Sequence, residues 1–302
     1  MHSIKICANC HVTVRSEAIT PPSVTVRETI YQLMNQDKIN EINRVAEEYR
    51  TLISDRMSID DFREYNEILF SCHSCAIEGN TFTVDDTRTL KEKGLGMIPQ
   101  GKSLVEAFEM LDHFAAYEKM VRTVNEPLTE AYLKQLHFLL TEHTIGYRHQ
   151  GANPGEYTEF DMCAGDTIFG NHEQLIARVP DLLKSTEDAL QDNRWHPMEV
   201  AARFHGHFEW LHPFRDGNGR IGRLLVNKIL LQKQLPMLII TVDQRADYLT
   251  CMKKFRMDAE PLTDLFFDTA ISRMKKEIEQ KRNATENFRQ FWLSDEINNM
   301  MR

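Results

Sequence analysis

Apolar residues recur at intervals of three and four along most of the chain, which is the spacing of α-helices that bury one face. This pattern predicts helices over 25–55, 60–80, 83–94, 103–121, 128–143, 172–191, 197–210, 220–234, 247–256 and 262–281. Residues 1–25 lack the pattern and are predicted to form an irregular or extended arm. Between 146 and 170, five glycines and alternating aromatic and polar residues break the helical period, which indicates a loop and a small hairpin. The predicted fold class is therefore all-α.

Short signals mark where several of these helices begin and end. Thr83 or Asp85 is suited to open the short helix that follows it, and Ser103 is suited to cap the next one. Pro197 suits the first position of a helix, because a residue there needs no backbone N–H. The Gly-Asn pair at 79–80 supplies a C-terminal stop for the helix before it.

Composition and charge narrow the class of protein. The 302 residues are 42% hydrophobic and 27% charged, which is enough for one large core or two modest ones. The formal net charge of -9 argues against a protein that binds nucleic acid or a membrane through charge. No run of about 18 apolar residues is present, and the N-terminus lacks the apolar stretch of a signal peptide. Six cysteines in a chain of this length favour reduced thiols, so a cytoplasmic protein is expected.

The segment HPFRDGNGRIGR, residues 212–223, concentrates groups that core packing does not need. Pro213 disfavours a continuous helix through His212, which places this histidine at the entrance of a loop. An imidazole has a pKa near neutrality, so His212 can serve as a general base. Asp216 offers a carboxylate oxygen, the ligand that Mg²⁺ takes when phosphates and water complete its coordination.

The second half of the segment has the features of an anion site. Gly217, Asn218 and Gly219 open the next helix, where glycine lets N–H groups approach a ligand and the helix N-terminus favours an anion. Arg220 and Arg223 lie one turn apart, so both guanidiniums can bind phosphate oxygens. Each feature alone has an ordinary explanation, such as a Gly-Asn-Gly turn or a solvated arginine. Their combination within twelve residues indicates a site for phosphate transfer.

The cysteines allow two weaker interpretations. The run CANCH at 7–11 fits the signature for c-type haem attachment, although that attachment normally needs export. Its two cysteines could instead form a four-cysteine zinc site with Cys72 and Cys75. The latter pair, however, falls on the apolar face of a predicted helix, which favours a place in the core.

The segment 212–223 resembles the complete Fic motif, HPFx[D/E]GNGRxxR, at every defined position, and the helices over 105–275 resemble the all-α core of that family. Most Fic enzymes transfer AMP from ATP to a protein hydroxyl. The resemblance implies a Fic-type helical bundle whose β-hairpin, near 156–169, acts as a flap that holds an unknown target protein by strand addition. ATP is then a co-substrate and Mg²⁺ a cofactor. Doc-type relatives that transfer phosphate carry lysine in place of Gly219, which favours nucleotidyl transfer here.

The same resemblance assigns roles to individual residues. It implies that His212 deprotonates the target hydroxyl and that Asp216 binds Mg²⁺. Tyr248 falls where family members often place an aromatic that contacts adenine, but Leu249 stands in place of the usual second tyrosine, and a core role for Tyr248 is the alternative. Arg220 is implied to contact the α- and β-phosphates, and Arg223 the γ-phosphate. The phosphate-binding set is Gly217, Asn218, Gly219, Arg220 and Arg223.

The segment SCAIEGN, residues 74–80, resembles the inhibitory pattern [S/T]xxxE[G/N] of the same family, placed N-terminal to the motif as in class II members. Ser74 and Glu78 lie four residues apart on one face of a helix. A solvated glutamate is the plain alternative. The resemblance implies instead that Glu78 pairs with Arg223 and obstructs productive binding of the γ-phosphate. An autoinhibited adenylyltransferase that also modifies itself is therefore expected.

The motifs divide the chain into three regions. Residues 1–104 hold the arm and the helices that carry the inhibitory motif at 71–80, residues 105–275 form the catalytic core, and residues 276–302 form a helical extension. Two other functions stay open: a Fic enzyme with a UTP, GTP or CDP-linked donor or with de-AMPylase activity, and a non-enzymatic module that senses nucleotides or binds partners. The intact His212 and Asp216 count against the module, since a sensor needs neither. A homo-oligomer is left open.

Overall fold

A computed structural model describes the backbone of residues 5–6, 26–165, 167–192 and 195–300. It describes the side chains of residues 36–165, 167–192 and 195–285. The cysteines of the CANCH run lie outside these described residues, so the proposed haem and zinc sites stay untested. Cys72 and Cys75 are free and buried, which is the core position that the helical pattern favours for them.

Most of the described chain is helical. The α-helices are α1 (Val26–Leu52), α2 (Ile59–Ile77), α3 (Val84–Lys93), α4 (Leu104–Arg122), α5 (Glu130–Thr141), α6 (Ile145–Arg148), α7 (Leu175–Gln191), α8 (Pro197–Leu211), α9 (Asn218–Gln232), α10 (Arg245–Lys254) and α11 (Glu260–Met300). Short 3-10 helices span Ser54–Arg56, Gly94–Met97, His172–Gln174 and Val242–Gln244. The predicted helices are present, α11 continues beyond its predicted end, and the short α6 is an addition. None of the described helices has a stretch long and apolar enough to span a bilayer.

Side-chain caps fix several helix starts where the sequence places them. Thr83 Oγ1 accepts a hydrogen bond from Asp86 N at 3.1 Å, and the Asp86 carboxylate accepts one from Thr83 N at 3.0 Å. Ser103 and Glu106 form the same reciprocal pair at 3.2 and 3.0 Å. Such a cap contributes about 1 kcal/mol to helix stability. Helix α8 begins at Pro197, so the predicted starts of α4 and α8 are confirmed.

The predicted hairpin is present as β2 (Met162–Ala164) and β3 (Thr167–Ile168), which pair antiparallel. Their Cα partners are Cys163 with Ile168 and Ala164 with Thr167. A third strand, β1 (Lys5–Ile6), pairs antiparallel with β2 and extends the sheet order to β1-β2-β3. It lies in the predicted arm. The all-α fold class with a small hairpin is confirmed.

Helix α9 lies at the centre of the core. Ile221, Leu224, Leu225 and Ile229 have no exposed surface, and the polar side chains of this helix are buried as well: Arg220, Arg223, Asn227 and Lys228. Each such apolar side chain contributes roughly 1.5–3 kcal/mol when it is fully buried. Helix α8 packs directly against α9. The loop that joins these two helices is therefore held at both ends by the core.

The chain forms two compact units. Within the described residues, one comprises 5–6 and 65–266, and the other comprises 26–64 and 267–300. In the second unit, Tyr49 Oη donates to Glu277 Oε2 at 2.6 Å. The predicted division at residues 104 and 275 follows the motifs rather than the packing, and it stays a prediction. All the site residues discussed below belong to the first unit.

Candidate active site

The motif residues form a tight loop between α8 and α9. Helix α8 ends at Leu211, and His212 has left-handed backbone angles of φ 49° and ψ 57°. This conformation costs a residue with a Cβ roughly 1 kcal/mol or more, so the surrounding loop has to impose it. Gly217, with φ 79°, opens α9 without that cost. The predicted break before Pro213 is confirmed.

Two side chains from neighbouring helices hold the loop in shape. Asn218 Nδ2 donates to Phe214 O at 2.7 Å, and Phe214 N donates to Asn218 Oδ1 at 3.0 Å. The Phe214 ring stacks on His137 of α5, with ring centroids 3.7 Å apart. His137 Nδ1 accepts from Gly155 N at 2.9 Å, so its Nε2 donates to Asp216 O at 3.0 Å. Both polar ends of the Asn218 amide are thus used within the loop, and its predicted contact with phosphates stays a prediction.

The His212 ring is neutral in its surroundings. It is 7% exposed and stacks on Phe169 of the flap segment, with ring centroids 3.9 Å apart. Burial lowers the pKa of the imidazole to about 4, despite the nearby carboxylates of Glu78 and Asp216. Neither ring nitrogen makes a hydrogen bond of good geometry within the described residues. The ring can therefore accept a proton, as a general base must.

We expect His212 to stay neutral from about pH 8 down to about pH 5, because its folded pKa lies below the value of about 6.5 for a free imidazole. Asp112 accepts a hydrogen bond from His143 and raises the pKa of that ring. His143 is therefore an internal control whose pKa is shifted in the opposite direction. Ring-nitrogen NMR, with the His212→Ala variant for assignment, measures both midpoints. A midpoint for His212 at or above that of His143 would contradict the dominance of burial.

Asp216 is held in the loop as a carboxylate. Its Oδ1 accepts from Gly217 N at 2.6 Å and from Arg220 Nη2 at 3.3 Å. Its Oδ2 faces Arg148 Nη1 at 3.6 Å and His149 Nε2 at 3.7 Å. Burial acts to raise the pKa of this carboxyl, but the cations outweigh burial and hold the pKa below its ordinary value. Asp216 is therefore ionised at neutral pH.

The surroundings of Asp216 fit a divalent cation that phosphates and water largely enclose. Its Oδ2 has no ion-pair contact shorter than 3.6 Å within the described residues, and Mg²⁺ commonly takes a single protein carboxylate in nucleotide sites. No group of three or more His, Cys, Asp or Glu side chains in the described part of the chain is placed to hold a metal. A cation at Asp216 would therefore draw most of its ligands from the nucleotide and water.

Glu109 of α4 anchors the motif from outside it. This residue is 2% exposed, and its Oε1 accepts from Arg220 Nη1 at 2.8 Å and pairs with Arg148 Nη2 at 2.9 Å. Its Oε2 accepts from Asn80 Nδ2, in the segment that matches the inhibitory pattern, at 3.1 Å. Arg220 has no exposed surface here. Its predicted contact with phosphates would therefore require the Glu109 pair to open.

Arg223 is bound to the C-terminal end of α2. Its Nη2 donates to Glu78 Oε1 at 2.8 Å and to Ser74 O at 2.8 Å, and its Nε donates to Ser74 Oγ at 3.1 Å. The Arg223 side chain is 4% exposed and that of Glu78 is 37% exposed. The structure therefore brings Ser74 and Glu78 of the inhibitory pattern together with Arg223, and the pair of Glu78 with Arg223 lies at the edge of solvent.

The Glu78 carboxylate lies against the first turn of α9. A Cβ on Gly219 would lie 2.2 Å from Glu78 Oε1 and 3.0 Å from Arg223 Nη1, so the absence of a side chain makes room for the carboxylate. The first N–H groups of a helix have no partner within the helix and favour an anion. Glu78 thus fills space beside the predicted anion site.

Tyr248 lies in the core beside Arg223. It is 2% exposed, and its hydroxyl donates to His205 Nε2 at 2.6 Å and accepts from Arg223 Nη1 at 3.4 Å. This is the core role that the sequence left open. A contact with adenine stays a prediction, and it would require the buried ring to become accessible.

The flap segment, residues 156–169, is tied to the motif loop. Thr158 N donates to Pro213 O, and Gly170 N donates to Trp210 O, both at 2.8 Å. A groove beside the segment is lined by Lys134, Gly155, Glu156, Tyr157, Thr158, Glu159, His172, Glu173 and Ile176. The predicted flap therefore adjoins His212, and its binding of a target stays a prediction.

Comparison with known proteins gives the site a family. A family model described as Fic/DOC family matches residues 127–230, which include the whole motif loop. Protein adenylyltransferase Fic from Nematostella vectensis is 32% identical over 182 residues, covering 58% of this chain and 40% of the relative. Protein adenylyltransferase fic-1 from Caenorhabditis briggsae is 32% identical over 190 residues, covering 60% and 35%. The chain thus spans less than half the length of these curated relatives.

Solved structures agree in fold. A Fic domain containing signaling protein from Bacteroides thetaiotaomicron superposes with a TM-score of 0.69 and 22% identity, covering 80% of this chain and 97% of that one. Fic-1 from C. elegans gives a TM-score of 0.69 at 23% identity, covering 85% and 76%. The chain therefore carries a domain of the Fic/DOC family, in the fold of Fic-domain proteins of known structure.

Proposed function

We propose that the protein is an adenylyltransferase that transfers AMP from ATP to a serine, threonine or tyrosine hydroxyl of a target protein, and that Glu78 restrains it. One joint observation carries the proposal: a neutral His212 and an ionised Asp216 share the loop that opens α9, where Glu78 and its partner Arg223 lie. The relatives named protein adenylyltransferase support the same reaction.

In this proposal His212 is the general base. An unpaired ring nitrogen takes the proton of the target hydroxyl as that oxygen attacks the α-phosphorus of ATP. A bond forms between the hydroxyl oxygen and phosphorus, and the bond from phosphorus to the α,β-bridging oxygen breaks. Pyrophosphate leaves with the electron pair, and the imidazolium returns its proton to solvent. The N-terminal amides of α9 would stabilise negative charge on the phosphates.

Asp216 is the residue that would hold Mg²⁺. When bound, the cation supplies positive charge to the phosphate oxygens. The bond from Arg220 to Oδ1 fixes the rotation of the carboxylate, so that Oδ2 faces Arg148 and His149 at 3.6 and 3.7 Å. The role of Arg220 in this scheme is to orient Asp216, in addition to any phosphate contact that it makes after the Glu109 pair opens.

The target protein is proposed to bind along residues 156–169, next to the stacked Phe169 and His212 rings. Strand addition needs an unpaired edge, and in the described sheet of order β1-β2-β3 the hairpin strand that lies at an edge is β3. A hydroxyl on such a segment would come within reach of the base. Self-modification follows from the same geometry whenever a segment of this chain or of a second copy occupies the groove.

A panel of labelled nucleotides tests the function. The parent and the Glu78→Gly variant are incubated with Mg²⁺ and each α-³²P-labelled ATP, GTP, UTP or CTP, and covalent label on protein is measured. We expect label from ATP, strongest in Glu78→Gly. Preferential labelling from another nucleotide would assign a different donor. Nucleotide binding without label from any donor would favour a sensing module, and loss of AMP from pre-labelled protein would reveal de-AMPylation.

A further inference from the structure

Four charged side chains form a closed ring at the motif loop. Glu109 Oε1 pairs with Arg220 Nη1 at 2.8 Å and with Arg148 Nη2 at 2.9 Å. Asp216 pairs with Arg220 Nη2 through Oδ1 at 3.3 Å, and it faces Arg148 Nη1 through Oδ2 at 3.6 Å. Two arginines thus alternate with two carboxylates, and their formal charges cancel. Only Asp216 and Arg220 belong to the twelve-residue motif.

The two arginines of the ring differ in what they can reach. The Arg220 side chain is 0% exposed, and both of its terminal nitrogens point to carboxylates of the ring. The Arg148 side chain is 30% exposed, and its contact with Asp216 Oδ2 is longer than a good hydrogen bond. The Arg148 side chain is therefore partly accessible to solvent beside Asp216, while that of Arg220 is not.

Arg148 is also held firmly in place. It ends α6, where its N donates to Thr144 O at 3.1 Å, and Ile145 of the same short helix is 1% exposed. Glu109, itself buried, fixes the far end of the guanidinium. A guanidinium that is already oriented loses little further freedom when it binds a second anion, so its N–H groups are preorganised for a ligand.

We propose that Arg148 is a phosphate-binding residue of the nucleotide site, a third guanidinium supplied from outside the motif, and that Glu109 is its positioning residue. The inference rests on the proposed function in taking the phosphates of a nucleotide as the anion. Because the 3.6 Å contact of Arg148 Nη1 with Asp216 Oδ2 is longer than a good hydrogen bond, this nitrogen is free to turn to a phosphate oxygen with or without a cation at Asp216. Arg148 then recognises the polyphosphate and not the base.

The test measures binding of inorganic pyrophosphate and of ADP by calorimetry, in EDTA and in Mg²⁺. We expect Arg148→Ala to weaken pyrophosphate binding by about 10-fold in both conditions, since charge-assisted hydrogen bonds to the anion are lost at a site that is partly exposed. Arg148→Lys keeps the charge but loses the planar set of N–H donors of the guanidinium, so an intermediate loss of pyrophosphate affinity is expected. Arg122→Ala, which removes an arginine that is 75% exposed on α4, is the matched control.

Each outcome decides the proposal. Equal pyrophosphate affinity in Arg148→Ala and the parent would overturn it, and so would a parent that binds no pyrophosphate. A loss confined to Mg²⁺ would overturn it too, because Arg148 would then act only through Asp216. Thermal unfolding establishes that each variant is folded. If Arg148→Ala does not fold, the pyrophosphate affinity of Arg148→Lys is the deciding measurement. Because pyrophosphate carries no base, the two proposals can fail separately. If no AMP transfer is found but Arg148→Ala still weakens pyrophosphate binding, the proposed function is rejected and the role of Arg148 is kept.

Discussion

Replacing His212 with alanine is expected to lower the rate of AMP transfer by about 10²- to 10⁴-fold, the range for loss of a positioned general base. The neutral ring has a nitrogen free to take the hydroxyl proton, and no other imidazole of the described residues stacks on the flap segment beside the loop. Affinity for ADP should change little, because the start of α9 and Arg223 remain. The effect should therefore appear in kcat rather than in nucleotide binding.

The measurement uses the Glu78→Gly variant as background, so that the starting rate is large enough to follow a fall of this size. His143→Ala is the matched control, since it removes a partly exposed imidazole outside the motif loop. Calorimetry with ADP establishes that the nucleotide site is intact in each variant. Transfer at the background rate in His212→Ala would show that His212 is not the general base. A loss of ADP binding equal to the loss of rate would show instead that the ring shapes the nucleotide site.

The fold and the motif loop were predictable because their causes are local in the sequence. Helical periods, caps such as Ser103 and the break at Pro213 depend on residues a few positions apart. The loop conformation depends on His212 and Gly217, and on Asn218, which bonds to a residue only four positions away. The pairing of Glu78 with Arg223 spans the chain, and it was predictable only because a resemblance links the two segments.

The rest of the site depends on contacts between distant segments. Glu109 occurs in a helix rich in charged residues, where an acidic side chain usually faces solvent. A helical wheel did offer a signal, because Glu109 shares a face with His113 and Ala116, both of which are fully buried. Arg148 gave no such signal. It lies where the helical period ends, so its side-chain direction depends on α6, which the pattern did not predict.

The sequence left two roles open for Tyr248, a contact with adenine and a place in the core. Its place in the sequence suggested a contact with adenine, yet its hydroxyl is bonded to His205 and Arg223 in the core. The departure from the family pattern at Leu249 leaves the preference for the base open. The choice between a core position and a contact with adenine depends on tertiary packing around α10, which the hydrophobic periodicity of the sequence does not report.

Replacing Glu78 with glycine is expected to raise self-modification in Mg²⁺ and ATP by on the order of 10- to 100-fold, because a charge-assisted pair contributes about 1.5–3 kcal/mol. While Glu78 holds Arg223 at 2.8 Å, the γ-phosphate lacks its arginine and meets a carboxylate against Gly219. Removal of that carboxylate frees both the arginine and the space. The Glu78 side chain is 37% exposed, so solvent screening places the gain nearer the lower end.

A double substitution separates this brake from other effects of Glu78. Adding Arg223→Ala to Glu78→Gly should cancel most of the gain, since the freed arginine is what would hold the γ-phosphate. Glu92→Gly is the matched control, because it removes an exposed glutamate near the end of α3, another helix end, without touching α9. Incorporation of label from α-³²P-ATP is followed over a range of ATP concentrations. Equal labelling of Glu78→Gly and the parent would end the autoinhibition hypothesis, whereas a gain that survives the loss of Arg223 would keep a brake at Glu78 and give it a different partner.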